Sequence, residues 1–281
     1  MAESKRLHKL EINGAELHYT ERGAGDPVVF VHGGLGDFRT WGPQIGPFAD
    51  RYRVISYSRR GHYPNAWPED YTEVAMLRHV EDLAVLIEKL DLGPSHIVAN
   101  SYGGYISLHT ALKFPHLIRT LALAEPPVHP LLQRLPGGGA LLQEFMRTAW
   151  LPAGRAFSEG DMEGGVRLFI EGAVGKGEFD KLPPRVREAM MKNAPELAAA
   201  TATEFTVHMP DLTCDDAAEI EAPTLLMRGG LSPRMYYLIN DELARCLPQA
   251  EQALVPDAAH VLHNHNPEAH NAIVLDFLSK H

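Results

Sequence analysis

Three short stretches hold residue types that together could break an acyl bond. The first is Ile97-Val98-Ala99-Asn100-Ser101-Tyr102-Gly103-Gly104. An apolar run passes into small-x-Ser-x-Gly and straight on into a helical pattern. That is the form of a nucleophile elbow, with Ala99 where a glycine usually stands. The turn needs small residues on both sides of the serine. It lifts the hydroxyl to a strand end and to a helix N-terminus, where backbone N–H groups favour negative charge. Taken alone, the stretch also fits an ordinary strand-to-helix turn with a capping serine. The second is Phe30-Val31-His32-Gly33-Gly34-Leu35-Gly36. A glycine-dense loop after an apolar strand can aim backbone N–H groups at an oxyanion. It lacks a Gly-Lys-Ser/Thr ending and a Gly-x-Gly-x-x-Gly pattern, so a phosphate-binding loop is the weaker reading. The third is Val255-Pro256-Asp257-Ala258-Ala259-His260. A histidine between the last strand and the last helix can fold back over the strand ends to the serine. The chain has 15 histidines, and position is what singles out His260. His263, His265 and His270 raise the question of a metal, but no flanking carboxylate or Cys pair accompanies them and no metal is assigned. His62 is read as a loop residue.

These residues need elements to position them. Val28-Val29-Phe30-Val31 is apolar on both faces, as a strand covered on both sides is. Glu16 to Glu21, Arg53 to Tyr57, His96 to Ala99, Thr120 to Ala124, Pro223 to Met227 and Ala250 to Val255 also read as strands. Helical patterns fall between most of them. Val80, Leu83, Ala84, Ile87 and Leu90 make one apolar helix face, closed by Gly93-Pro94. Further helices are expected at Tyr102–Lys113, Tyr236–Leu247 and Pro267–Leu278. Strands alternating with helices predict an α/β fold with a mostly parallel sheet flanked by helices. The alternation breaks between about Pro126 and Glu221. Helix-like stretches there, around 141–149, 164–172, 185–191 and 196–207, predict an inserted helical lobe of roughly 90 residues, the size of a small domain. It would roof the carboxyl edge of the sheet, where open α/β sheets bind ligands.

In this order and spacing the chain resembles the α/β-hydrolase fold superfamily, in its serine-nucleophile, lidded branch, over nearly all its length. The His32-Gly33-Gly34 loop, the Arg60-Gly61-His62 turn, the Ser101 elbow and Ala259-His260 carry the resemblance. It implies a core of residues 1–125 and 222–281 and a helical cap of residues 126–221. It also implies the backbone N–H groups of Gly34 and Tyr102 as oxyanion donors.

One departure matters. Family members commonly carry the third catalytic residue as Asp in the turn after the strand read as Pro223–Met227. This chain has Arg228-Gly229-Gly230-Leu231-Ser232-Pro233, so Ser232 stands there, and a serine cannot carry the charge that orients an imidazolium. The neighbouring strand ends in Glu125-Pro126-Pro127. Some members place the acid there, and the order Ser…Glu…His is kept. The expectation is a Ser101–His260–Glu125 triad that cleaves a carboxylic ester, lactone or thioester through an acyl-enzyme, with no metal and no organic cofactor. Carbon–carbon hydrolysis is the alternative, because it uses the same residue types. A weakly catalytic small-molecule receptor or a lyase stays open because of Ser232. Phe145, Met146, Trp150, Phe157, Leu168 and Phe169 form either an apolar roof or the lobe's own core.

Composition narrows the partners. With 26 Lys+Arg against 36 Asp+Glu, a net charge of −10 argues against a nucleic-acid backbone. No apolar run approaches the ~20 residues that span a bilayer, and the N-terminal residues lack a signal-peptide core. A small-molecule substrate, no nucleic acid, no membrane and a cytoplasmic location are expected. Cys214 and Cys246 allow one bridge, but they are read as two buried or idle thiols of a reducing compartment. The oligomeric state is not legible.

Overall fold

The computed structural model describes residues 6–70 and 75–281. Residues 1–5, the start of the N-terminal stretch read above, lie outside them. Among the described residues eight strands form one sheet: β1 (Leu7–Ile12), β2 (Ala15–Arg22), β3 (Pro27–Val31), β4 (Arg53–Tyr57), β5 (Ser95–Asn100), β6 (Ile118–Ala124), β7 (Thr224–Gly229) and β8 (Ala250–Val255). Their order is β1-β2-β4-β3-β5-β6-β7-β8. The β1–β2 and β2–β4 pairs are antiparallel, and every other pair is parallel. All seven expected strands are present. β1 is not expected from the sequence, because Leu-His-Lys-Leu-Glu-Ile is an edge strand exposed at alternate positions and carries no unbroken apolar run.

The helices of the sheet layers are α1 (Gly42–Ala49), α2 (Met76–Lys89) and α3 (Tyr102–Lys113). Side chains alternate across the pleat, so each strand feeds two cores. Val29, Val31, Ile97, Ala99, Leu121 and Leu123 face one side, with Val80, Leu83 and Ile87 of α2 and Ile106 of α3. Val28, Phe30, Val98, Ala122 and Ala124 face the other, with Ile45 and Phe48 of α1. Burial on both faces is why these strands read as unbroken apolar runs.

Between β6 and β7 the chain is helical: α4 (His129–Arg134), α5 (Gly138–Phe145), a π-helical turn Met146–Trp150, α6 (Leu151–Ser158), α7 (Met162–Ala173), α8 (Glu178–Lys181), α9 (Pro184–Ala202), α10 (Phe205–His208) and α11 (Cys214–Ala218). These inserted helices form the cap. The chain then returns to the core through α12 (Arg234–Cys246), α13 (Leu262–His265) and α14 (Pro267–Leu278). Pro195 separates the helix-like stretches 185–191 and 196–207 in the sequence, yet α9 continues through it to Ala202. Side-chain bonds from Asn193 and Glu196, described below, hold the helix on either side of that proline.

The two cysteines are not free thiols. Cys214 and Cys246 are joined in a disulfide, 32 positions apart with Cα atoms 5.1 Å from one another. The start of α11 packs beside the end of α12, a meeting that two isolated cysteines in a sequence cannot announce.

Candidate active site

The register of the sheet sets the three reacting groups side by side. Asn100 pairs with Ala124 at the ends of β5 and β6, so Ser101 and Glu125 are the first residues past adjacent strands. The amide of Ser101 donates to the Ala124 carbonyl at 2.8 Å, and that of Glu125 to the Met227 carbonyl at 3.1 Å. Both residues then turn through left-handed backbone, φ 51° at Ser101 and 48° at Glu125. For residues with a Cβ this costs on the order of 1–3 kcal/mol each, a strain that functional sites concentrate. The elbow closes because Gly103 lies against the preceding core: a Cβ there would sit 2.4 Å from the Val31 carbonyl oxygen.

His260 reaches between them from the loop after β8. Ser101 Oγ donates to its Nε2 at 2.8 Å, and its Nδ1 donates to Glu125 Oε2 at 2.8 Å. Glu125 is fully buried. Its other oxygen accepts from the Gly229 amide at 2.7 Å, so both oxygens are held. Ser232, at the place of the missing acid, has a buried hydroxyl with no hydrogen-bond partner among the described residues. The three residues together make the Ser-His-Glu network of a serine ester hydrolase.

Residues 26–159 match the alpha/beta hydrolase fold family. The chain is 23% identical over 261 residues to an (E)-2-((N-methylformamido)methylene)succinate hydrolase from Acinetobacter baylyi, with 92% of each chain covered. The enol-lactonase from Burkholderia xenovorans LB400 shares the fold at a TM-score of 0.79 and 18% identity, covering 97% of this chain and 100% of that one. A thermophilic esterase from Thermogutta terrifontis does so at 0.78 and 23%, with 98% of each covered. The chain has the α/β-hydrolase fold.

In this fold the elbow and the glycine loop meet at one cavity of about 640 Å³, lined by Gly33, Gly34, Ser101, Tyr102 and His260 among others. That volume is in the range of small-molecule sites. From the cap, Phe145, Trp150 and Phe169 line it, whereas Met146, Phe157 and Leu168 do not. Phe145 and Trp150 belong at the same time to the buried core, against which Met146, Phe157 and Phe169 pack.

The glycine loop is held from below. His32 Nδ1 donates to the Gly33 carbonyl at 2.8 Å, and His32 Nε2 accepts from the Arg59 amide at 2.9 Å. Those two bonds define a neutral tautomer. Burial, with the Arg59 charge beside it, holds His32 well below the ordinary imidazole range. Arg59 Nη2 also donates to the Gly33 carbonyl, at 3.2 Å. A trans peptide points its N–H opposite its C=O. Anchoring the Gly33 oxygen inward therefore aims the Gly34 N–H away from the anchors. Among the described residues, neither that amide nor the Tyr102 amide donates to a backbone carbonyl in a turn or loop.

Several residues of the site had no signal in the sequence. The Tyr236 ring stacks on His260, centroids 4.1 Å apart and planes 15° from parallel. Asn100 Nδ2 donates to the His260 carbonyl at 3.1 Å. Arg59 and Arg60, a conspicuous basic pair, are both buried in ion pairs: Arg60 with Asp82 at 2.9 Å and Arg59 with Glu196 at 2.6 Å. His62 does sit in the loop between β4 and α2, but it is fully buried, with Nε2 2.8 Å from a Glu196 oxygen. No described helix is long and apolar enough to cross a membrane.

Proposed function

We propose that the protein is a serine hydrolase of small carboxylic esters, lactones or thioesters, with Ser101 as nucleophile, His260 as general base and then acid, and Glu125 as the orienting carboxylate. The observation that carries this is the unbroken line from Ser101 Oγ through His260 to a buried, doubly held Glu125. Ser101 attacks the acyl carbon as His260 Nε2 takes its proton. Glu125 keeps the second imidazole proton on Nδ1 and stabilises the cation that forms. The Gly34 and Tyr102 amides receive the oxyanion, at a few kcal/mol per donor. Collapse returns the proton to the leaving group, and water repeats the sequence on the acyl-enzyme.

Residues 1–125 and 222–281 act in this scheme as the catalytic core, and residues 126–221 as the cap that shapes the pocket. The test is intact mass after a fluorophosphonate probe, followed by turnover of p-nitrophenyl esters, lactones and thioesters. Wild-type protein should gain one probe adduct. Ser101→Ala should gain none and lose turnover by several powers of ten. Labelling that survives in Ser101→Ala would refute the assignment.

A cytoplasmic location belongs to the same proposal. The Cys214–Cys246 bond is the observation set against it, since disulfides persist in oxidising compartments. Alkylating the protein in intact cells before purification decides the matter: two blocked thiols favour the cytoplasm, and none rejects it.

A further inference from the structure

One helix of the cap touches the glycine loop at several points, through groups the mechanism does not use. Glu196 of α9 is buried, and its carboxylate meets the Arg59 guanidinium in a two-point pair, Nη1 to Oε1 at 2.6 Å and Nη2 to Oε2 at 2.7 Å. His79 Nε2 donates to Oε1 at 2.7 Å. The second guanidinium nitrogen is the same one that donates to the Gly33 carbonyl.

One turn earlier on α9, the Asn193 amide nitrogen donates to Asp37 Oδ2 at 2.9 Å and to the Leu35 carbonyl at 3.4 Å. Its oxygen accepts from the Tyr63 amide at 2.9 Å. His62, 2.8 Å from Glu196, donates through Nδ1 to the Gly36 carbonyl at 2.7 Å. Gly33, Leu35, Gly36 and Asp37 are thus each tied to Asn193, or to Glu196 through one intermediary. The residue they bracket is Gly34.

A buried ion pair of this kind is a poor way to gain stability, because desolvating both charges offsets most of their attraction. Fixed geometry is what it supplies. The burial of Glu196 would raise its pKa, and the Arg59 charge with the His62 and His79 contacts outweighs that, keeping the carboxylate ionised.

We propose that Glu196 and Asn193 are positioning residues, through which the seated cap holds the Gly34 amide in its oxyanion-binding orientation. The inference rests on the serine-hydrolase reading. Its consequence is that the cap is more than a roof: a cap that lifts α9 also releases the loop, so pocket closure and transition-state binding are one event. A shift of about an ångström in a catalytic donor is enough to cost up to about a hundredfold in rate.

The experiment compares wild type, Glu196→Gln, Asn193→Ala and a control, Leu132→Val. Leu132 is fully buried in α4, which packs mainly on α5 and α12, so its variant loosens the cap away from α9. The readouts are the second-order rate of fluorophosphonate labelling at Ser101, whose phosphoryl oxygen occupies the same donors, and kcat and KM on a responsive ester. Glu196→Gln and Asn193→Ala should each lose about tenfold to a hundredfold in labelling rate and in kcat, with KM within about threefold. The control should keep both rates whatever its thermal midpoint. Folded variants with unchanged rates, or a control that falls as far, overturn the inference. If Glu196→Gln does not fold, Asn193→Ala, which strands no buried charge, decides alone. A wild type that does not label, or a Ser101→Ala that does, refutes the serine-hydrolase reading and removes this inference with it.

Discussion

Replacing Glu125 by Gln removes one charge and almost nothing else, and the structure says which way the new amide must face. One carboxylate oxygen accepts from the Gly229 amide at 2.7 Å and the other from His260 Nδ1 at 2.8 Å. In Gln the oxygen is required at Gly229, since an NH2 there would confront an N–H in a fully buried site. That places the NH2 against His260 Nδ1. The imidazole then presents its lone pair at Nδ1 and carries its proton on Nε2, where it can no longer take one from Ser101. The reverse orientation restores the working tautomer at the cost of an unmatched buried donor, about 1–3 kcal/mol, which leaves it some 5- to 150-fold less populated. Loss of the charge that stabilises the imidazolium adds about another tenfold, the gap between charged and neutral hydrogen bonds. Together these give a fall in kcat of roughly 10²–10³, approaching the ~10⁴ seen when other triads lose the charge of their acid. The assay is steady-state turnover of the ester that the wild type uses best, with circular dichroism to confirm the fold. Ser232→Ala is the paired control and should keep full kcat, because its hydroxyl has no partner to lose among the described residues. A Glu125→Gln enzyme that is folded and within tenfold of wild type refutes the relocated acid.

Two further outcomes concern stability. Burial holds His79, His129 and His270 each down at about 4, so they stay neutral in the fold while the unfolded chain takes up protons below about 6.5. The unfolded state therefore binds more protons between those values, and stability should fall as pH drops from about 6.5 towards 4. Glu196, depressed by Arg59 and its histidine contacts, adds a second loss as pH falls below its unfolded value near 4.5. Urea midpoints across this range measure both, and a midpoint constant from pH 7 to pH 5 would contradict the histidine argument. Reduction of Cys214–Cys246, or Cys214→Ser, opens a loop spanning 32 positions and should cost about 3–4 kcal/mol on the chain-entropy account. Turnover should persist in the folded fraction, and denaturant unfolding with and without reductant reads the difference.

What the sequence determined by itself was local or periodic. Ser101 was legible because a nucleophile elbow is written in a few consecutive residues: an apolar strand, a serine between small neighbours, a helix. The parallel strands were legible because burial on two faces leaves an unbroken apolar run, whereas β1, at the sheet edge, has no such run to read. Glu125 was legible only through the family resemblance, which implies an acid at one of two strand ends, and the usual one holds Ser232. Tertiary structure decided the rest. Arg59 and Glu196 are 137 positions apart, and each alone reads as a surface charge. Only the packing of α9 over the glycine loop makes them a buried pair. Tyr236 against His260, and Cys214 against Cys246, are likewise meetings of separate helices or loops. Residue type and spacing along one segment record what a turn or strand must be. They do not record which remote segment will lie against it, because that depends on how all the apolar faces are buried at once.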